Sequence, residues 1–246
     1  MPMISKADIE STFERTVINM GGQFVSELFS KSPPHLNADF IFRDRNIICE
    51  LKVLENDPNE SGSLDRKAQA LFEQWMGQDK TLIFGRTRVN SSQLSNDSQW
   101  ELAKLHSESV RRVLVKANRQ IRETKEVLGL HDAKGHVIIV NNAIPTLDPQ
   151  TFAFAAHQSL GTHYSSINGV SLISVNFETS LNGLPCKVKF WIDYVRDQHS
   201  PLDEPYLAQF QETWGKCLGD LAGQSIELRR LPNNTNLEQF GPITRA

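Results

Sequence analysis

Several features that define familiar protein classes are scarce in this 246-residue sequence. Its three cysteines, Cys49, Cys186 and Cys217, are far apart and form no Cys-x-x-Cys pair, which argues against a disulfide framework and a zinc finger. No apolar run approaches the ~18 residues that cross a bilayer, and the amino terminus has no signal-peptide core. These absences predict a cytoplasmic protein that is neither secreted nor inserted in a membrane.

An excess of one charge is lacking as well. The sequence has 26 Lys and Arg against 29 Asp and Glu, so any nucleic-acid binding must use a local basic surface rather than bulk charge. No glycine-rich loop follows a predicted strand, and no Gly-x-Ser-x-Gly elbow occurs. The sequence thus supports neither a nucleotide-binding fold nor a serine hydrolase.

The sequence does contain alternating helical and strand patterns. The hydrophobic periodicity predicts helices over about 7–30, 64–76, 99–128, 149–159 and 205–221. It predicts strands over about 38–43, 46–54, 81–85, 136–141, 171–177 and 187–194. The Gly21-Gly22 pair is a place where the first helix could kink or end early. This order predicts an α/β sandwich with a mixed sheet, because the first two strands form a hairpin and later connections are helical crossovers.

The predicted hairpin brings two carboxylates and a lysine together. Side chains alternate along the second strand, so Glu50 and Lys52 share one face. A turn at Asp44-Arg45, of either two or four residues, puts Asp39 directly opposite Glu50. A slip of one residue in the pairing would leave the two carboxylates diagonal neighbours.

Facing carboxylates repel each other, and a buried carboxylate without a partner is costly, so this arrangement needs a cation. Lys52 is one candidate. A divalent ion is the other, because Mg²⁺ accepts carboxylate, water and phosphate oxygens as ligands. The alternative is a solvated salt-bridge cluster on an edge hairpin, without catalytic meaning.

In order and spacing, these residues resemble the PD-(D/E)xK nuclease superfamily. Asn37-Ala38-Asp39 stands where that family has Pro-Asp, so the proline is missing here. Glu50-Leu51-Lys52 matches its Glu-x-Lys element. In the first helix, Thr12-Phe13-Glu14-Arg15 is similar to the Phe-Glu-Arg stretch of resolvase-like and restriction-like members. This similarity nominates Glu14, with Glu10 one turn earlier as the runner-up.

The resemblance implies a fold. We expect a restriction-endonuclease-like three-layer sandwich of the α/β class with a mixed central sheet. One nuclease-like domain would span residues 1–246, with a core over about 5–145. Residues 146–246 would add strands and a carboxy-terminal helix, and would complete the sheet, form a homodimer or select the substrate.

The resemblance also implies a chemistry. We expect an endonuclease that hydrolyses phosphodiester bonds with Mg²⁺ or Mn²⁺, in DNA rather than RNA. Asp39 and Glu50 would ligate the metal, and Glu14 would hold a second ion or a metal-bound water. Lys52 would orient the attacking water or help to deprotonate it. Two alternatives remain open: a non-catalytic nucleic-acid- or protein-binding module on this fold, and an unrelated α/β protein with a coincidental match.

The predicted third helix carries a basic surface. Residues 104–125 include seven basic side chains and two acidic ones. Lys116 and Gln120 border the buried stripe of this helix, and Arg112 and Arg119 lie near the same edge. We expect these four side chains to contact nucleic-acid phosphates, with Lys116 and Gln120 resembling the polar residues that the superfamily's helix adds to its site. The alternative is a solvated helix surface.

Two further patterns carry weaker expectations. The histidines from His131 to His163 show no metal-ligand spacing with cysteine or acidic residues, so we expect no zinc site. Asp193 follows an apolar stretch, and we expect it to cap its strand or to pair with Arg196.

Overall fold

Helices and strands alternate along the chain, as the periodicity predicts. The computed structural model describes residues 3–29, 37–56, 62–79, 95–160, 164–180, 187–196, 201–228, 240 and 243–245. The helices are α1 (Lys6–Asn19), α2 (Ser63–Asp79), α3 (Asn96–Leu128), α4 (Pro149–Leu160) and α5 (Glu204–Ala222). The strands are β1 (Gln23–Phe24), β2 (Phe40–Phe42), β3 (Ile47–Leu54), β4 (Lys134–Asn141), β5 (Gly169–Ser174), β6 (Phe177–Ser180), β7 (Lys187–Val188), β8 (Trp191–Val195) and β9 (Thr244–Arg245).

A six-stranded sheet forms the centre of the molecule, in the order β1-β2-β3-β4-β5-β8. Strands β3, β4 and β5 are parallel, whereas β1, β2 and β8 pair antiparallel with their neighbours. The parallel strands are largely buried, and β4 carries the continuous apolar run that such strands require. The α/β class with a mixed sheet is therefore confirmed. A smaller sheet has the order β7-β6-β9.

Helices cover both faces of the central sheet, and a separate apolar core fills each interface. On one face, α3 and α4 pack on the sheet through side chains such as Leu114 and Phe152. On the other face, α1 and α5 do so through Phe13 and Phe210. We call these surfaces of the sheet the α3 face and the α5 face. Helix, sheet and helix thus form three layers.

The first helix is shorter than predicted. Ser5 caps it by accepting a hydrogen bond from the Asp8 N–H at 3.2 Å, but it ends at Asn19 rather than near residue 30. Gly21 takes a left-handed conformation, with φ of 78°. A Cβ on Gly22 would lie 2.7 Å from the Phe42 ring, so only glycine allows this close approach. The chain therefore leaves the helix and adds β1 beside the hairpin.

Two predicted strands are each divided in two. The strand expected over 171–177 is interrupted between β5 and β6, and the one expected over 187–194 between β7 and β8. Polar side chains at the first break replace ladder hydrogen bonds. Asn176 bonds both backbone groups of Ile4, and the Ser174 hydroxyl accepts from the Phe190 N–H at 2.9 Å. The strand predicted over 81–85 lies outside the described residues.

The other predicted helices are confirmed to within a few residues. The longest, α3, ends at Leu128, where Gly129 takes the left-handed cap conformation. Residues beyond 145 complete the sheet, since β5 and β8 are its last two strands and α5 covers its second face. In the described part of the chain, no helix is long and apolar enough to cross a membrane.

Candidate functional site

The hairpin has the predicted register. Phe40 pairs with Cys49, and the reversal is a short 3-10 turn that ends at Asn46 with φ of 54°. Asparagine tolerates this left-handed conformation better than most residues. Just before β2, the Asp39 N–H donates to the Cys49 carbonyl at 3.2 Å, which continues the pairing. Asp39 therefore lies across from Glu50, on the α3 face.

Glu50 is the most unusual side chain of this face. It is completely buried, and its Oε1 accepts a hydrogen bond from the Lys52 ammonium. Its other oxygen, Oε2, is buried and has no hydrogen-bond partner among the described residues. Burial and the neighbouring Asp39 carboxylate raise the pKa of Glu50 to about 8, although Lys52 opposes both effects. If both carboxylates were ionised, the site would contain more negative charge than its lysine compensates, so without a metal Glu50 retains its proton near neutral pH.

Asp39 is held in place by the strand opposite it. Its Oδ2 accepts from the Leu51 N–H at 2.8 Å. Burial raises the pKa of Asp39, against the opposing effects of that N–H, of Lys52 and of the Glu50 carboxyl, which can donate to Asp39 when it is protonated. A proton or a cation is therefore favoured at both carboxylates.

Lys52 connects the acidic pair to helix α3. Its ammonium donates to Glu50 and, at 3.0 Å, to Oε1 of Gln120, and its side chain is 18% exposed. Gln120 in turn donates from Nε2 to the Asn37 carbonyl at 2.8 Å. Lys52 is therefore oriented from both sides while part of it stays accessible.

The role predicted for Gln120 needs correction. Gln120 lies in the site as expected, but only 7% of it is exposed, and both ends of its amide bond protein groups. It positions Lys52 rather than presenting itself to a phosphate. Asn37 was missed by the sequence analysis, because it acts through its backbone carbonyl and no side-chain motif marks that role.

The two acidic candidates of α1 differ. Glu14 is exposed on its helix, which packs on the α5 face, and the structure does not bring it to the Asp39–Glu50 pair. Glu10 is close enough to raise the pKa of Asp39. Its carboxylate lies 3.9 Å from Lys6, which also pairs with Glu55 just after β3. The runner-up is thus the helix carboxylate coupled to the pair.

The basic surface of α3 is partly neutralised by its own helix. Arg112 forms an ion pair with Glu108, and Arg119 forms one with Glu123, each at 2.6 Å and four residues apart. Lys116 is exposed and forms no ion pair with a described residue. The spacing of the acidic residues could have revealed this pairing from the sequence.

The donor set of the pair fits a hard divalent cation. Asp39 and Glu50 provide carboxylate oxygens on one face, and Glu50 Oε2 has no described partner. Mg²⁺ commonly uses one or two carboxylates and completes its shell with water and phosphate oxygens. Among the described residues, no three His, Cys, Asp or Glu side chains are placed to hold a metal together. A site here would therefore use two carboxylates.

No family model, curated protein or solved structure matches the chain.

Proposed function

We propose that this protein is a metal-dependent nuclease that hydrolyses phosphodiester bonds, in DNA rather than RNA, with Asp39, Glu50 and Lys52 in its active site. The observation that carries the proposal is the fully buried Glu50, whose Oε2 has no described partner beside a second carboxylate. A purely structural ion pair at this depth would need all its lone pairs satisfied, because desolvation opposes its formation. A divalent cation would supply the missing partner and would displace the proton that the raised pKa of Glu50 favours in its absence.

Each side chain has a role that its contacts allow. Asp39 and Glu50 would hold Mg²⁺ or Mn²⁺, with Asp39 oriented by the Leu51 N–H. When bound, such an ion lowers the pKa of a coordinated water and stabilises the charge that develops on the phosphorus oxygens. Lys52 is partly exposed beside this pair and can donate to a phosphate oxygen or orient the attacking water.

The architecture supports the same proposal. A hairpin carries the acidic pair in a mixed sheet with helices on both faces, and α3 contacts the neighbouring Lys52 through Gln120. This arrangement agrees with a restriction-endonuclease-like sandwich. Lys116, with Arg112 and Arg119 in support, would contact the nucleic-acid backbone along α3.

A cleavage assay tests this function. Supercoiled, linear and single-stranded DNA, and RNA, are incubated with Mg²⁺, Mn²⁺ or a chelator. Wild type is compared with Glu50→Ala and Lys52→Ala, and with matched controls Glu126→Ala and Lys216→Ala at exposed positions outside the site. Circular dichroism checks the folding of every variant.

We expect metal-dependent cleavage of DNA that both site variants lose and both controls keep. Calorimetric titration with Mg²⁺ should show binding that Glu50→Ala abolishes. Absence of both cleavage and metal binding would overturn the proposal. If the protein then still bound nucleic acid, a non-catalytic binding module would replace it.

A further inference from the structure

A line of polar side chains crosses the opposite face of the sheet from the acidic pair. It contains Cys49 on β3, His136 on β4, Ser171 on β5 and Asp193 on β8, with Tyr206 reaching in from α5. The strand registers put Cys49 beside His136 and Ser171 beside Asp193, all on the α5 face. We call this set the cross-sheet chain.

The members of the cross-sheet chain are joined by consecutive hydrogen bonds. Cys49 Sγ lies 3.1 Å from Tyr206 Oη, which lies 3.0 Å from His136 Nδ1. His136 Nε2 lies 2.8 Å from Ser171 Oγ, and the Ser171 hydroxyl donates to Asp193. The contacts run without a break from the strand of Glu50 to the last strand of the sheet.

The direction of each bond follows from the number of protons available. An ionised carboxylate only accepts, so the Ser171 hydroxyl must give its single proton to Asp193. The Trp191 indole N–H donates to the same Asp193 oxygen at 2.7 Å, as expected for an acceptor. Ser171 Oγ is then left to accept, and the donor that faces it is His136 Nε2.

The remaining bonds are fixed in the same way. His136 is completely buried, and burial lowers its pKa to about 3, so its ring is neutral and carries one N–H. If that proton is on Nε2, Nδ1 can only accept, and the Tyr206 hydroxyl must donate to it. Tyr206 Oη is then left to accept from the Cys49 thiol, 3.1 Å away.

We propose that the negative charge of Asp193, at the exposed margin of the sheet, sets the buried His136 in its Nε2–H tautomer and gives the whole cross-sheet chain one direction. The chain is a conformational device. It ties β3, β4, β5, β8 and α5 together, and the ionised Asp193 allows only one direction for the bonds from His136 Nε2 to Ser171 and from Ser171 to Asp193. This inference does not depend on the proposed nuclease activity.

Nitrogen NMR of protein labelled with ¹⁵N-histidine tests the tautomer directly. The sequence has seven histidines, and His136 is identified as the ring whose signals shift in Ser171→Ala. We expect a protonated Nε2 and an unprotonated Nδ1. A protonated Nδ1, a charged ring or an equal mixture in wild type would overturn the proposal.

Variants test whether Asp193 sets the direction. In Asp193→Asn the side-chain amide can donate to Ser171, which allows the chain to reverse, so we expect a change from one tautomer to a mixture that contains Nδ1–H. Asp203→Asn is the matched control, since Asp203 is exposed, pairs with Lys134 at 2.9 Å and lies outside the chain. It should leave the tautomer unchanged.

Tyr206→Phe separates the two ends of the chain. It removes the partner of Nδ1 but leaves Ser171 and Asp193, so we expect Nε2–H to persist. A change of tautomer in Tyr206→Phe, or none in a folded Asp193→Asn, would show that Asp193 does not set the direction. If Asp193→Asn fails to fold, a protonated Nδ1 in the wild-type spectrum, or a change of tautomer in Tyr206→Phe, still overturns the proposal.

Discussion

The buried polar side chains on the two faces of β3 differ in how completely they are hydrogen-bonded. Cys49 and Glu50 are consecutive residues and are both completely buried, but they point to different sides of the sheet. On the α5 face, Cys49 begins the cross-sheet chain, in which every member has a partner. On the α3 face, Glu50 keeps one oxygen without a described partner.

This difference is the basis of the functional proposal. Native interiors satisfy nearly all buried polar groups, so a complete network such as the cross-sheet chain stabilises one fold. A buried network with an unsatisfied polar atom needs an explanation, and an ion missing from the site is a common explanation. Among the described residues, two of the five unpartnered buried atoms, Glu50 Oε2 and Asn37 Oδ1, belong to the site residues on the α3 face, and one, Trp214 Nε1, lies on the α5 face outside the cross-sheet chain. The comparison yields four predictions.

The largest effect is expected from removing the charge of Glu50. Glu50→Gln keeps the shape of the side chain but removes an anionic ligand, so we expect cleavage to fall by about 10³-fold, or about 4 kcal/mol. Tyr206→Phe, on the other face, should leave the rate within about threefold of wild type, well under 1 kcal/mol. Single-turnover cleavage of one DNA substrate measures both. Equal losses in the two variants would erase the functional distinction between the faces.

The two faces should also give opposite pH dependences of stability in metal-free protein. Glu50 has a raised pKa, so its contribution is present below pH 4.5 and is lost as the pH rises towards about 8. His136 has a lowered pKa, so its contribution is present above pH 6.5 and is lost as the pH falls towards about 3. Each group changes the free energy of unfolding by about 1.4 kcal/mol per pH unit.

Urea unfolding with a chelator, from about pH 4 to pH 9, measures this profile. Glu50→Gln should remove the alkaline decline and leave the acid decline in place. A wild-type protein whose stability rises steadily between pH 6.5 and about 8 would contradict the charge state inferred for Glu50.

A smaller effect is expected from breaking the cross-sheet chain. Tyr206→Phe removes one hydroxyl without a cavity and leaves His136 Nδ1 and the Cys49 thiol only their long contact with each other, at 4.0 Å. We expect the free energy of unfolding to fall by about 1–3 kcal/mol. Tyr164→Phe is the control, since the Tyr164 hydroxyl has no hydrogen-bond partner in the described ranges. An equal cost in both variants would mean that the chain adds nothing specific.

The smallest effect concerns the surface of α3. Lys116→Ala should weaken DNA binding and reduce the slope of log affinity against log salt by about 1, because one phosphate contact is lost. Arg112→Ala and Arg119→Ala should change the slope less, since each cation already has an acidic neighbour. Fluorescence anisotropy in the Glu50→Gln background measures binding without cleavage. A larger effect of either arginine substitution would mean that this arginine, and not Lys116, contacts the phosphate.

Local signals explain what could be predicted from the sequence. The register that sets Asp39 opposite Glu50 depends on one tight turn, and the end of α3 depends on a periodic stripe followed by Gly129. Both are decided within a few residues of the chain. Helix α1 was predicted too long because the apolar pattern continues through Gly21 and Gly22, although the backbone there turns away.

The rest of the site depends on distant contacts. The bonds of the cross-sheet chain join residues 22 to 157 positions apart, which no local pattern reports. The expected pairing of Asp193 with Arg196 illustrates this. Asp193 instead accepts from Ser171, and Arg196 donates to the Tyr164 carbonyl at 2.9 Å. The hydrogen bonds of Gln120 to Lys52 and Asn37 could not be predicted either, because they form only where α3 packs on the hairpin.

The alternation along β3 also restricts how the gene can change. This strand is hydrogen-bonded on both sides, so losing or gaining one codon within Ile47–Leu54 would turn every later side chain to the other face. Glu50 would then enter the apolar layer under α5, and a neighbour would take its position. Substitutions in this stretch can be tested one residue at a time, but its length is fixed, so insertions and deletions should be tolerated only in the connections on either side.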